Sequence, residues 1–258
     1  MLPIQSERGY LIMALNSSTV DYVDCAYQLA RSIRHFHSDA EICLLSNMDV
    51  CESDLFNYHR TFVSPISNNP YANDWQVFGA SPFRQTIKLE ADMIIASAID
   101  HWWTMLEHRD VVISTGARDF YNQQTPNRSY RKVFDTNNLP DVYNAVTYWR
   151  MSETAQEFFR LVKQIFDNWA QYKTLVKFPD NIPSTDLVYA IAAQIMGPER
   201  VTMPFVSYPR IVHMKRGIIP TRSEDWTQEI TWESNPLRIN TVAQWGAVHY
   251  HQKAWRHE

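Results

Sequence analysis

Short apolar runs alternate with amphipathic stretches through the first half of the chain. Tyr10 to Leu15 (YLIMAL) has strand length and is followed by Asn16, Ser17, Ser18 and Thr19, residue types that cap helices. From Tyr22 to Phe36, the residues Tyr22, Ala26, Leu29, Ile33 and Phe36 recur at the spacing of one helical face. Ile42 to Leu45 is a second apolar run and Thr86 to Leu89 a third, with apolar character resuming at Met93 to Ile95; Asp110 to Ser114 is a fourth. A strand–helix–strand opening predicts parallel strands joined by a right-handed crossover. Ligands of such sheets bind beyond the carboxyl ends of the strands, which places Leu15 to Ser18, Ser46-Asn47 and Glu90 to Asp92 around one crevice.

Farther along, residues 115–141 show no clear periodicity but carry Arg118, Arg128, Arg131 and Lys132 among Tyr, Asn, Gln and Pro, the pattern of a long polar loop. Ser152 to Tyr172 reads as one helix capped by Ser152, with Phe158, Phe159, Leu161, Val162, Ile165, Phe166 and Trp169 on its buried face. The turn Asp180 to Asp186 leads into an apolar helix from Leu187 to Met196, closed by Gly197-Pro198. The last third, richer in Trp, Pro and His, reads as an annex to a single domain.

Composition narrows the chemistry. A chain of 258 residues suits one domain. With only 6 Gly there is no P-loop and no G-x-G-x-x-G, so a phosphate ligand would be held by a metal, side chains or helix N-termini. A net charge of −4 argues against a globally basic nucleic-acid binder. Cys25, Cys43 and Cys51 lack zinc-type spacing and read as reduced thiols, the first two as packing residues. Glu7 and Arg8 precede any apolar run, and no run reaches the ~20 residues that span a bilayer. These features lead us to expect a soluble, cytoplasmic protein without membrane association.

The strand around Leu89 ends in two carboxylates one residue apart, Glu90 and Asp92. Buried carboxylates demand a partner. A hard cation such as Mg2+ or Mn2+ suits them and leaves positions for substrate phosphates. The plainer alternative is a strand end with solvated acids, paired to Arg84 or Lys88. Two later segments, Ile211-Val212-His213-Met214-Lys215 and Val248-His249-Tyr250-His251-Gln252-Lys253-Ala254-Trp255, each step from apolar residues into His and then Lys. Residues alternate faces along a strand, so His249 and His251 share one and Tyr250 takes the other.

The stretch Ser81-Pro82-Phe83, Thr86, Leu89, Ala91 and Asp92 resembles the SPF-x-x-T-hydrophobic-x-LDAD signature of GT-A nucleotide-sugar glycosyltransferases of the glycogenin-like family (family 8-like), with Glu90 in place of the usual Asp. Ile99-Asp100-His101-Trp102-Trp103 is similar to the segment that follows. Tyr143-Asn144-Ala145-Val146 resembles the family's FN-x-G step with Val146 for Gly. Asp186 matches the acid that begins the corresponding helix, and His249, Tyr250, Lys253 and Trp255 follow the order of the late H-F/Y-x-G-x-x-K-P-W segment, two residues shorter.

The resemblance implies a single GT-A (Rossmann-like) domain over residues 1–258, with a central, mostly parallel sheet flanked by helices. Residues 1–114 would be the nucleotide-sugar-binding half, and 115–258 the acceptor half with a metal- and phosphate-contacting C-terminal segment. It implies transfer of a hexosyl or pentosyl group, with retention, from a donor such as a UDP-sugar to an acceptor hydroxyl. Glu90, Asp92 and His249 would hold Mn2+ or Mg2+, with His251 and His213 ranked behind His249. Leu15, Asn16, Ser17 and Tyr22 would lie against the nucleotide, Arg84 and Lys253 would serve the diphosphate, and Asn144 and Asp186 would carry catalysis. For Asn16, as for Ser18, helix capping is the competing role.

The acceptor is a saccharide, a protein or a small molecule. The VHMK and HYHQKAW segments also look like those of glycosyltransferases encoded by tailed bacteriophages, which admits hydroxymethylated DNA; Arg118 to Lys132 with Lys215, Arg216 and Arg222 would then track phosphates. Two other classes remain as alternatives, a metal-dependent phosphoesterase and a non-catalytic carbohydrate-binding protein. The sequence leaves the oligomeric state open.

Overall fold

The computed structural model describes residues 3–49, 53–62, 67, 69–124, 131–203, 209–214, 231–234 and 236–250. Its opening follows the apolar pattern closely: β1 (Ser6–Ala14), α1 (Tyr22–Phe36) and β2 (Ile42–Ser46), then β3 (Tyr58–Thr61). After a 3-10 turn at Pro70–Gln76 come α2 (Val77–Ala80), β4 (Phe83–Glu90), β5 (Met93–Ile95), α3 (His101–Leu106) and β6 (Val111–Thr115). The remainder is α4 (Arg131–Thr136), β7 (Val142–Arg150), α5 (Glu153–Asp167), α6 (Trp169–Val176), α7 (Thr185–Met196), α8 (Pro198–Val201), β8 (Ile211–Met214), β9 (Trp232–Ser234), β10 (Leu237–Ile239), β11 (Val242–Ala243) and β12 (Ala247–Tyr250).

Six strands form the main sheet in the order β3-β2-β1-β4-β7-β6. β3, β2, β1 and β4 run parallel, and β7 enters antiparallel between β4 and β6. Strands from both sequence halves therefore share one sheet. Apolar side chains on one face of it pack under α5 and α7, and those on the other under α1 and α3. Each aliphatic side chain fully removed from water there contributes roughly 1.5–3 kcal/mol. The start of β4 is fixed locally: Ser81 Oγ accepts the Phe83 amide at 3.2 Å and lies 2.7 Å from Thr86 Oγ1. Phe83 lies against β1 where only Gly fits, since a Cβ on Gly9 would come within 2.4 Å of the Phe83 ring.

Several expectations are corrected. The first helix is capped by Asp21, which accepts the Asp24 amide at 3.1 Å, not by Ser18; Asn16 assists by accepting the Val23 amide at 2.9 Å. The helix expected from Ser152 to Tyr172 breaks at Asn168, whose φ of −112° and ψ of 27° leave helical geometry and separate α5 from α6. Its cap at Ser152 stands as expected, accepting the Ala155 amide at 3.2 Å. The polar stretch 115–141 contains α4, a helix too short for periodicity to reveal. Two smaller sheets lie outside the main one, β11-β10-β9 and β5-β12-β8. The second matters most for function, because β12 pairs antiparallel with β5 and parallel with β8, bringing His249 opposite both Met93 and His213.

Candidate active site

A cavity of about 520 Å3 opens at the carboxyl ends of β1 and β4. Its described lining gathers eight of the residues expected from sequence: Leu15, Ser17, Tyr22, Glu90, Asp92, Asn144, Asp186 and His249. The crossover rule accounts for the first five and antiparallel β7 for Asn144. Asp186 arrives on the first turn of α7, whose cap is Ser184, accepting the Leu187 amide at 3.3 Å.

Glu90 and Asp92 have different surroundings. Glu90 is bonded at 2.5 Å to the ammonium of Lys88, which is fully buried and also lies 3.0 Å from Asp74. Burial alone would lower the pKa of that ammonium, but Asp74 and Glu90 outweigh it and hold it above its usual range. Asp74 in turn accepts from the Tyr189 hydroxyl and from Asn144 Nδ2 at 3.2 Å. Burial first, and then the Asp74 charge, push the Tyr189 hydroxyl far above its ordinary pKa. The chain continues through Asn144, whose amide donates to Asp186 at 2.8 Å and whose Oδ1 accepts from Thr147 at 2.6 Å. One hydrogen-bonded network thus runs from Glu90 to Asp186 beneath the cavity floor.

Asp92 looks the other way. Its Oδ1 lies 3.0 Å from His249 Nε2, and its carbonyl accepts the Tyr250 amide at 3.0 Å, so β12 holds the imidazole against the carboxylate. The opposite ring nitrogen, His249 Nδ1, is bonded to the Tyr143 hydroxyl, which also lies 2.5 Å from His213 Nδ1. Asp92, Tyr143, His213 and His249 are all buried.

Asp92 and His249 are the oxygen and nitrogen donor types that would hold a divalent cation; here they are bonded to each other, Asp92 Oδ1 lying 3.0 Å from His249 Nε2. Among the described residues no three His, Cys, Asp or Glu side chains converge as a complete protein cage. Mg2+-type sites that engage phosphates use few protein ligands and fill the rest with water and substrate oxygens. The described lining holds four carboxylates (Asp74, Glu90, Asp92 and Asp186) and neither Lys nor Arg.

Other expected residues fall elsewhere. Arg84 stands at the start of β4, at the far end of the strand from Glu90, where it pairs with Glu7 at 3.1 Å with both side chains largely exposed. It takes no part in the cavity. Asn16 does not line the cavity either; its backbone amide donates to Asn47 Oδ1 at 2.8 Å and its side chain serves α1. Ser17 lines the cavity while its hydroxyl accepts the Val20 amide at 3.0 Å. Tyr22 lines it too, its hydroxyl pKa raised by burial and then by Glu90. His213 lies behind His249, not on the cavity wall. His251, Lys253, Arg128, Lys215, Arg216 and Arg222 fall outside the described residues. Asp74 and Tyr143 were not anticipated. The one hint of Asp74 was the polar run Asn73-Asp74 and Gln76 immediately before an apolar helix, all three now buried.

The fold is that of GT-A glycosyltransferase structures, a mixed α/β domain with a central, mostly parallel sheet, and a cavity opens at its carboxyl edge. No family model and no curated protein sequence matches the chain. Its similarity is to solved structures. Galactosyltransferase LgtC, solved with donor and acceptor sugar analogues, superposes with a TM-score of 0.54 at 11% identity over 94% of this chain and 86% of that one. Mouse xyloside xylosyltransferase 1, in its apo form, gives 0.54 at 9% identity over 96% and 98%. Glycosyltransferase GlyE of Streptococcus pneumoniae gives 0.48 at 8% over 77% of this chain, which spans 45% of that protein.

Proposed function

We propose that this chain transfers a sugar from a nucleoside diphosphate sugar, with uridine as the base, to an acceptor hydroxyl, using Mn2+ or Mg2+. The observation that carries the reading is the cavity's charge: four carboxylates line it, two of them (Asp74 and Glu90) sharing the single buried ammonium of Lys88, with no Lys or Arg among the described lining residues. The net negative charge left on that surface disfavours a bare diphosphate and favours one accompanied by a cation. A bound divalent cation supplies positive charge against the diphosphate as the glycosidic bond breaks. Asp92 and His249 would hold it, while Lys88 keeps the Glu90 carboxylate at the rim. Leu15 and Tyr22, both partly buried, and the exposed Ser17 would lie against the nucleotide.

On the sugar side, the Asn144 amide fixes one oxygen of Asp186, so that carboxylate meets donor hydroxyls in a set orientation. Retention of configuration follows from the glycogenin-like resemblance, as does a diphosphate contact by Lys253. The acceptor half would be residues 115–258. A DNA acceptor in a phage setting draws less support, because Arg131 is engaged with Asp135 at 2.8 Å and Asp141 at 2.7 Å and so is neutralised locally.

The test is a panel of UDP-sugars with glycan, protein and hydroxymethylated-DNA acceptors, run in Mn2+ and in chelator. Metal-dependent release of UDP by the native chain, slowed about a thousandfold in Asp92→Asn, is the expected result. Undiminished turnover in chelator would rule out the metal-dependent reading, and cleavage of simple phosphate esters would favour a phosphoesterase.

A further inference from the structure

β7 is irregular where it reaches the cavity. Its ladder with β4 ends at the pair Leu89–Val146, and its pairing with β6 shifts register between Thr147 and Val142. Asn144 lies inside that shift. Residues three apart on an extended strand stand about 10 Å apart and point to opposite faces. The Thr147 hydroxyl nevertheless donates to Asn144 Oδ1 at 2.6 Å, so the strand bends here. At the bend the main-chain amide of Asn144 holds Asp186 Oδ1 at 2.8 Å.

We propose that Asp74 and Thr147 are positioning residues for sugar transfer: they lock the Asn144 side chain in one orientation, and the Asn144 main-chain amide then sets the Asp186 carboxylate against the donor sugar. This rests on the reading of the cavity as a nucleotide-sugar site. The sense of the bonds follows from one group that only donates and one that only accepts. The Lys88 ammonium donates to Asp74 Oδ1 at 3.0 Å, to Glu90 at 2.5 Å and to the Asn144 carbonyl at 3.4 Å. The Asp74 carboxylate, its first oxygen taken by Lys88, accepts on Oδ2 from Asn144 Nδ2 at 3.2 Å and from the Tyr189 hydroxyl. The nitrogen end of the Asn144 amide therefore faces Asp74, and its oxygen is left for Thr147. A flipped amide would set two oxygens against each other.

Where the ladder lapses, this side-chain network holds the strand in place. Asn144 is fixed through its carbonyl and both ends of its side-chain amide, which leaves the main-chain amide one direction in which to hold Asp186. Asp74, Lys88, Asn144, Thr147 and Tyr189 are all buried, so water is not at hand to substitute for a lost partner.

The experiment measures steady-state transfer by the purified full chain with the UDP-sugar that serves it, and UDP binding by calorimetry. Thr147→Val keeps the shape of the side chain and removes its hydroxyl. It should lower kcat about 10- to 100-fold, the range for a group misplaced by about an ångström at a reacting centre. kcat/KM should fall in the same proportion while UDP affinity stays as in the native chain. Thr147→Ser, which keeps the hydroxyl, should recover most of the rate. Asp74→Asn and Asn144→Asp should each slow transfer, because the first sets two amide nitrogens face to face and the second two carboxylates. The double variant exchanges carboxylate and amide, keeps a donor and an acceptor in each bond, and leaves the net charge unchanged. It should regain most of the lost rate. Native kcat in Thr147→Val overturns the proposal, as does an equal loss in Thr147→Ser or a loss of UDP affinity that parallels the rate. If Thr147→Val fails to fold, the exchange decides: a double variant that is unfolded, or as slow as the slower single variant, overturns the proposal. A native chain that transfers sugar from no UDP-sugar overturns the nucleotide-sugar reading itself, and this inference with it.

Discussion

Glu90 and Asp92 are separated by a single residue, yet they belong to differently built regions. Glu90 finds its partner two positions back on its own strand, in Lys88, and through it joins Asp74, Tyr189 and Asn144. Asp92 finds its partner on β12, at the other end of the chain, in another sheet. The first region is a saturated network whose members neutralise one another in the core. The second is a buried pair at the cavity wall. Two carboxylates of one short D/E-x-D step therefore join different parts of the molecule, and the partner decides which.

The sharpest way to break this contrast is Lys88→Met. Removing the cation leaves Asp74, which is buried, without its counter-charge, and the loss of one partner from a buried pair costs about 3–5 kcal/mol. Chemical denaturation should report that loss as a fall in the urea midpoint with an unchanged slope. A variant as stable as the parent would mean that the network does not hold the core. Asp92→Asn should invert the pattern, costing little stability while slowing transfer about a thousandfold, equivalent to about 4 kcal/mol of transition-state stabilisation. Steady-state UDP release checks it.

Glu90→Gln sits between the two. It keeps an acceptor for Lys88 but removes a charge from the cavity, so we expect about a tenfold loss of turnover and less than about 1.5 kcal/mol of stability, because the pair is partly exposed. Equal activity losses in Glu90→Gln and Asp92→Asn would erase the distinction. Smallest of all is Arg84→Ala, expected within about 0.5 kcal/mol of the parent and at full activity, because its pair with Glu7 is solvent-exposed.

The parts legible from sequence share a physical cause. β1, α1, β2 and β4 are written in local periodicity, and the rule that ligands bind at strand carboxyl ends then located Leu15, Ser17, Glu90 and Asp92 without long-range information. Asn144, Asp186 and His249 came through resemblance, since nothing local in Tyr143-Asn144-Ala145 or His249-Tyr250 separates a site residue from a packed one. Asp74 stayed hidden because a buried carboxylate in a 3-10 turn has no periodic signature, and its partners Lys88, Asn144 and Tyr189 come from three distant elements. Arg84 misled for the opposite reason. Closeness in sequence to Glu90 suggested closeness in space, whereas an extended strand of that length carries its ends about 20 Å apart.

The small sheet β5-β12-β8 has a consequence for how the molecule is made. β12 lies between its two companions, and Tyr143 and His249, which meet in the finished site, are 106 residues apart along the chain. Synthesis delivers Asp92, Tyr143 and His213 to the folding polypeptide well before His249. The main sheet can form around β1 and β4 early, whereas β5 and β8 have no common partner until Ala247–Tyr250 leaves the ribosome. Nascent chains halted before Ala247 would hold the main sheet without the imidazole, so Asp92 and His249 come together only once Ala247–Tyr250 has been translated.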